Sequence, residues 1–121
     1  MTRRLCLSLD LVEDRDLITE YEKLHQPGGV WPEVLAHIRA SGVKSMQIWR
    51  TGNRMVMVSE VEADYPRPTG PALSDAAARW ESLMDRFQRR LPEAASGEKW
   101  HPMDCIFDLG QHGSSRSTGV Q

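Results

Sequence analysis

The chain has 121 residues, 26% of them charged, and a formal net charge of −2; that length suits one domain with a real core. Its 15 basic residues are scattered among 17 acidic ones, which excludes an electrostatic footprint for nucleic acid. No apolar run approaches membrane length and no secretory segment is apparent, so a cytoplasmic protein is expected, with Cys6 and Cys105 as buried, reduced thiols on separate strands.

Residues 3–12 (RRLCLSLDLV) alternate, with Leu5, Leu7, Leu9 and Leu11 on one face, which predicts a strand with one dry side. Asp14 or Asp16 opens a helix in which Leu17, Ile18, Tyr21, Leu24 and His25 recur at three- and four-residue spacing. Gln26-Pro27-Gly28-Gly29 ends it. Pro32 suits the first turn of the next helix, which turns Trp31, Val34, Leu35 and Ile38 inward and stops at Gly42. Residues 43–50 and 54–62 read as two strands joined by Thr51-Gly52-Asn53. Three prolines and Gly70 make 63–72 a loop. From Ser74 as N-cap, Ala77, Trp80, Met84, Phe87 and Leu91 mark a second long helix, where the late Arg86, Arg89 and Arg90 complement the dipole. A further loop leads to a last strand around 103–109, and residues 110–121 have nothing to bury and are expected to be a disordered tail.

The order strand, helix, hairpin, helix, strand is the ferredoxin-like α+β arrangement: an antiparallel four-stranded sheet with two helices on one face, here a single domain over 1–109. The other face carries partly apolar positions (Val56, Val58, Ile106) and needs a cover. A second copy is the simplest one, so a homodimer with a barrel-like α/β assembly is expected.

Tyr21 and His25 lie four residues apart, one above the other on a helix face. Each has an apolar body and a polar tip able to meet a hydroxylated ligand. Trp80 falls on the inward stripe of the later helix, where an indole can serve as a platform for a sugar ring or as plain core. Glu60 shares a strand face with Val56 and Val58, at a rim or in a pocket. Trp31 and Trp49 read as core or dimer-interface aromatics, and the loop residue Trp100 fits either a pocket cover or a partner contact. His37, His101 and His112 have no metal-ligand spacing with a neighbour, so no zinc or iron site is expected. Neither cysteine lies near a histidine in sequence, and there is no phosphate loop or nucleophile elbow.

Tyr21, His25, the Trp31-Pro32-Glu33 turn, Gly42, Arg79-Trp80 near Met84, and the segments RWESLMDRFQ and EKWHPM together resemble the L-rhamnose mutarotase family, which includes proteins assigned to L-fucose. The resemblance runs from about residue 3 to residue 109. It implies a small dimeric ferredoxin-like protein that interconverts the α and β anomers of a 6-deoxy sugar without a cofactor. It also implies that His25 transfers the proton while Tyr21 and Trp80 line a monosaccharide pocket. Two positions depart from the rhamnose enzymes: Met46 stands for a pocket tyrosine and Glu81 for the second tryptophan of a pair, and Pro27-Gly28-Gly29 is a longer insertion. Exchanging a phenol and an indole for a thioether and a carboxylate changes which hydroxyls find partners, at about 1–3 kcal/mol per unmatched group. L-rhamnose and L-fucose differ at C2 and C4, and the expectation is L-fucose ahead of L-rhamnose.

Imidazole, which both gives and takes protons near neutrality, fits that chemistry. Taken alone, His25 would sooner be a satisfied core or surface residue; the Tyr21 spacing, the broken helix and the family pattern together favour catalysis. A second proton-transfer group is left open among Glu60, Glu81 and a water. Two other classes stay in view: a haem-binding or cofactor-free monooxygenase on the same dimeric scaffold, and a module that binds a small ligand without turning it over.

Overall fold

The computed structural model describes residues 1–112. Its elements run β1 (Thr2–Leu11), α1 (Arg15–Leu24), α2 (Pro32–Ala40), β2 (Val43–Thr51), β3 (Arg54–Glu62), α3 (Pro71–Met84), β4 (Gln88–Arg89) and β5 (His101–Pro102), then one short 3₁₀ turn (Leu109–Gln111). The strands form one antiparallel sheet in the order β2-β3-β1-β4, with β5 also on β1. That is the ferredoxin-like order, with α1 and α2 on either side of the expected Gln26–Gly29 break and two short strands, β4 and β5, where a single last strand was expected.

The register explains which face is dry. Leu9 pairs with Met55, and the odd positions of β1 and β3 point together toward the helices. Leu9, Leu11, Met55 and Val61 are essentially inaccessible, and Tyr21, Val34, Trp80, Met84 and Phe87 close over them. The hairpin turn is stitched to β1: Leu11 N donates to Asn53 O (2.6 Å) and Asn53 Nδ2 to Leu11 O (3.1 Å). Gly52, at φ 58°, supplies the left-handed residue that such a turn needs. On the opposite face the even positions carry Asp10, whose carboxylate takes a two-pronged ion pair from its register partner Arg54.

Several boundaries differ from the sequence expectation. Helix α3 starts at Pro71, after Gly70 at φ 88°, and not at Ser74. Proline at the first helical position loses no bond that the helix would have made. Ser74 lies inside the helix, its hydroxyl 3.1 Å from Thr69 Oγ1. Ala76 is the buried alanine, while Ala77 is half-buried. The helix stops at Met84, yet Phe87 and Leu91 are still buried. Phe87 O accepts from Val12 N (2.8 Å), so the chain turns there to become β4 instead of continuing the helix. Arg89 therefore sits on a strand opposite Asp10. Leu35, expected inside, is 37% exposed.

The last strand is shorter than expected. Only His101–Pro102 pairs with β1, and residues 103–108 continue without regular structure. Ile106 is 95% exposed rather than half-sheltered on the sheet. Cys105 is exposed and not buried, and Cys6 Sγ lies 3.7 Å from Met103 Sδ; both thiols are free. From residue 113 onward the expected tail lies outside the described residues. Among the described residues no helix is long and apolar enough to cross a membrane.

Two substitutions separate these features. Leu9→Ala should lose about 2–5 kcal/mol in urea denaturation, because it empties the centre of the core. Ser74→Ala should change stability by less than about 0.5 kcal/mol, whereas loss of a true N-cap would cost about 1 kcal/mol.

Candidate active site

The end of α1 builds the site. Asp14 caps its start, accepting from Asp16 N (3.0 Å) and Leu17 N (3.1 Å). At the other end His25 has left helical geometry (φ −98°, ψ 0°), and its N–H turns to Glu22 O at 3.1 Å. The helical partner of that N–H would have been the Tyr21 carbonyl, which is thereby freed. The His25 ring takes it: Nδ1 lies 2.7 Å from Tyr21 O. A carbonyl can only accept, so Nδ1 carries the hydrogen and Nε2 of the neutral ring keeps its lone pair. Nε2 has no partner among the described residues.

The glycines after the helix make this ending possible. A Cβ on Gly29 would stand 2.5 Å from the Leu24 carbonyl oxygen, and Gly28 has φ 88°. The chain can fold back across the helix terminus only without those side chains.

Aromatic rings hold the imidazole on two sides. Tyr21 stacks on it with centroids 4.3 Å apart and planes tilted by 33°. Trp80 meets it edge-on at 5.6 Å and packs in turn against Trp31 at 5.1 Å. Tyr21 is itself fixed, edge-on to Phe87 at 5.7 Å, with its hydroxyl accepting from Gln88 Nε2 at 3.2 Å. Burial pushes the Tyr21 phenol up to about 12; the Gln88 hydrogen bond opposes that rise and the Glu81 charge adds to it. Gln88 Oε1 is buried and has no partner among the described residues.

His25 and Tyr21 face a pocket of about 340 Å³, walled by Ile48 and Met55 from the sheet and by Glu22, Gln26 and Arg50 at its polar side. That is the lower end of the range for small-molecule sites, about 300–1,000 Å³. Arg50 donates through Nε to Glu22 Oε2 and through Nη1 to Gly52 O (2.6 Å). This ion pair also walls a second, more open hollow of about 390 Å³ beside the first turn of α1.

The expected site residues are thus brought together unevenly. Tyr21 and His25 share one pocket wall. Trp80, 5% exposed, lies behind His25 instead of on the wall. Glu60 pairs in register with Arg4 and Ser45 on the far face of the sheet, away from His25. Glu81 is engaged by Lys99 Nζ at 2.7 Å, which also holds Asp85 at 2.7 Å. Met46 sits half-buried on β2 opposite Ser59, on the helix-facing side. Trp31 and Trp100 pack against the core, and Trp49 is 64% exposed on the far face. His37 is bonded to Thr69 Oγ1 (2.8 Å) and His101 to Glu98 Oε1 (2.9 Å). Among the described residues no three His, Cys, Asp or Glu side chains converge as a metal site would need.

Sequence reasoning missed Arg50, Glu22 and Gln88. Counting alternate residues along β2 from Met46 and Ile48 would have put Arg50 on the pocket side. Gln88 was hidden because the apolar spacing of Phe87 and Leu91 imitates a continuing helix.

The sequence model of the L-rhamnose mutarotase family matches residues 4–109, nearly the whole described chain. The chain belongs to the L-rhamnose mutarotase family. It is therefore a sugar mutarotase, an isomerase, of the rhamnose/fucose type. It is 44% identical over 113 residues to the L-fucose mutarotase of Xanthomonas campestris pv. campestris, a match covering 90% of each chain. It is 38% identical to a UPF0734 protein of Dictyostelium discoideum, over 84% of this chain and 86% of that one. In structure it is similar to the L-rhamnose mutarotase of Formosa agariphila, with a TM-score of 0.63 at 18% identity, over 88% of this chain and 97% of that one. That likeness bears out the fold: a curled antiparallel sheet with its helices on one side.

The raised Tyr21 phenol has a stability consequence. Between the ordinary value of 10.0 and about 12 the unfolded chain loses the proton while the folded chain keeps it, so stability falls as pH rises through this window. The full effect is roughly 2–3 kcal/mol. In a Tyr65→Phe background, where Tyr21 is the only tyrosine, phenolate absorbance should appear only near pH 12.

Proposed function

We propose that this mutarotase acts on a 6-deoxy-L-hexose, L-fucose ahead of L-rhamnose, with His25 as general acid and base. The observation that carries the reading is the Nδ1 contact to the Tyr21 carbonyl, which leaves a basic Nε2 at a small pocket. Preference for L-fucose draws on the 44% identity to a protein named for that sugar. It also draws on Met46 and Glu81, which cannot offer what a phenol and an indole would.

The reaction moves one proton and no electrons. Nε2 takes the proton from the anomeric hydroxyl as the bond between C1 and the ring oxygen breaks. A proton returns to the ring oxygen and gives the open aldehyde. Rotation about C1–C2 and the reverse steps close the other anomer, and the imidazole ends as it began. Tyr21 keeps the imidazole plane fixed and, protonated below about pH 12, remains able to hydrogen-bond the sugar. Trp80 acts through His25, holding the ring from behind. With Glu60 on the far face and Glu81 held by Lys99, a water is the fitting carrier to the ring oxygen. No cofactor enters these steps.

We also propose that residues 1–109 work as one domain in a cytoplasmic homodimer. Cys105, an exposed free thiol, suits a reducing compartment. On the far sheet face Trp49 (64% exposed) lies uncovered beside its register partner Val56 and near the half-buried Val58, and Ile106 (95%) and Phe107 (65%) are exposed in the segment after β5. A second copy would cover them.

Saturation-transfer NMR on L-fucose and L-rhamnose tests the chemistry. Native protein should accelerate anomer exchange, and His25→Ala, folded by circular dichroism, should lose about 10²- to 10⁴-fold. Equal rates in the two proteins would remove His25 from the mechanism. Light scattering after gel filtration should give twice the monomer mass of 13.7 kDa, and the double substitution Trp49→Lys, Val58→Lys should give the monomer.

A further inference from the structure

Among the described residues Arg50 is the one guanidinium lining the pocket that His25 faces, and it is braced from two sides. Its Nε is given to Glu22 and its Nη1 to the carbonyl of Gly52, at the turn that the left-handed glycine creates. Two of the three nitrogens are thus committed, and Nη2 has no partner among the described residues. A fork held at two points loses little freedom when its third nitrogen binds something. The side chain is only 34% exposed, and its Glu22 partner also lines the pocket.

The spacing along α1 sets what this pair can reach. Glu22 precedes His25 by three residues, which is less than one turn, about 4.5 Å of rise, with Cβ atoms roughly 5–6 Å apart on one face. In a pyranose the ring atom across from C1 is C4. A sugar lying along the helix with C1 at His25 brings its C4 edge to Glu22 and Arg50. There a donor (Nη2) stands beside an acceptor (the Glu22 carboxylate), the complement of two neighbouring hydroxyls. The two candidate sugars differ in the orientation of the C4 hydroxyl, which lies on the same side of the ring as its C3 neighbour in L-fucose and on the opposite side in L-rhamnose.

We infer that Arg50, braced by Glu22 and the Gly52 carbonyl, is a sugar-binding residue that reads the C4 hydroxyl and sets the preference between 6-deoxy sugars. The inference rests on the mutarotase reading above, since it takes the position of C1 from His25. It assigns specificity to the polar wall of the pocket, independently of the positions where this chain departs from its rhamnose-type relatives.

The experiment compares native protein with Arg50→Leu on L-fucose, L-rhamnose and 4-deoxy-L-fucose, by anomer-exchange NMR for KM and kcat and by ligand-observed NMR for binding. Expected is a roughly 10- to 100-fold rise in KM for L-fucose, with kcat little changed and the same KM in both proteins for the 4-deoxy sugar. Equal losses on L-fucose and its 4-deoxy analogue would overturn the inference, since a merely structural role cannot distinguish the two ligands. An unchanged ratio of L-fucose to L-rhamnose would overturn it as well. Should Arg50→Leu not fold, Arg50→Lys keeps the charge but not the fork: loss of the sugar preference supports the inference and a retained preference sinks it. A failure of the mutarotase reading would appear separately, as native protein that accelerates none of the sugars or matches His25→Ala.

Discussion

The contact from His25 Nδ1 to the carbonyl of Tyr21 is what the rest of the site depends on. Its origin is entirely local: a helix that stops one residue early leaves a carbonyl without its amide, and the next polar side chain claims it. The same contact determines which ring nitrogen holds the hydrogen, and so which is basic. A terminus that other helices leave to water or to a glycine cap here chooses a tautomer.

What surrounds that contact removes the imidazole's freedom. The Tyr21 face and the Trp80 edge define its plane, Phe87 and Gln88 define that of Tyr21, and these rest on Leu9, Leu11 and Met55 of the sheet. Burial has an electrostatic cost that is visible at Tyr21, whose phenol is held protonated far beyond neutrality. Under the proposed mechanism a neutral hydroxyl next to the imidazole can donate but does not compete with it as a base. The polar wall of Glu22, Gln26 and Arg50 is less buried than the aromatic wall of Tyr21 and His25.

The sheet contributes by parity. One face, through Met55 and Ile48, forms the floor of the pocket, while the other carries the Asp10–Arg54 pair, Trp49, Val56 and Val58. A one-residue slip of β3 would exchange the two sets, turning Glu60 inward and Met55 out. The long register between β1 and β3, nine consecutive pairs from Thr2–Glu62 to Asp10–Arg54, guards against that slip. The placement of Tyr21 and His25 against the pocket floor is thus held by the strand ladder beneath them.

Sequence by itself determined the periodic parts. Alternation in β1, the spacing of Leu17, Tyr21 and Leu24, the Thr51-Gly52-Asn53 turn and the break at Gln26–Gly29 are local patterns with local causes, and with the family motif they carried the fold order and the pairing of Tyr21 with His25. Tertiary structure decided what local pattern cannot encode. Phe87 and Leu91 keep a helical spacing, yet the chain there belongs to the sheet, because Phe87 O finds Val12 N on β1. Trp80 turned out to support the imidazole because α3, packed beside α2, buries its Ala76–Trp80–Met84 stripe in the core, where the indole meets the His25 ring. Glu60 was excluded from the site by strand parity and Glu81 was engaged by a lysine 18 residues away, Lys99. Arg50 joined the site through a carboxylate 28 residues earlier in the chain, a distance that no window of sequence spans. Hydrophobic period is written residue by residue, whereas a polar group's partner depends on which elements the core brings side by side.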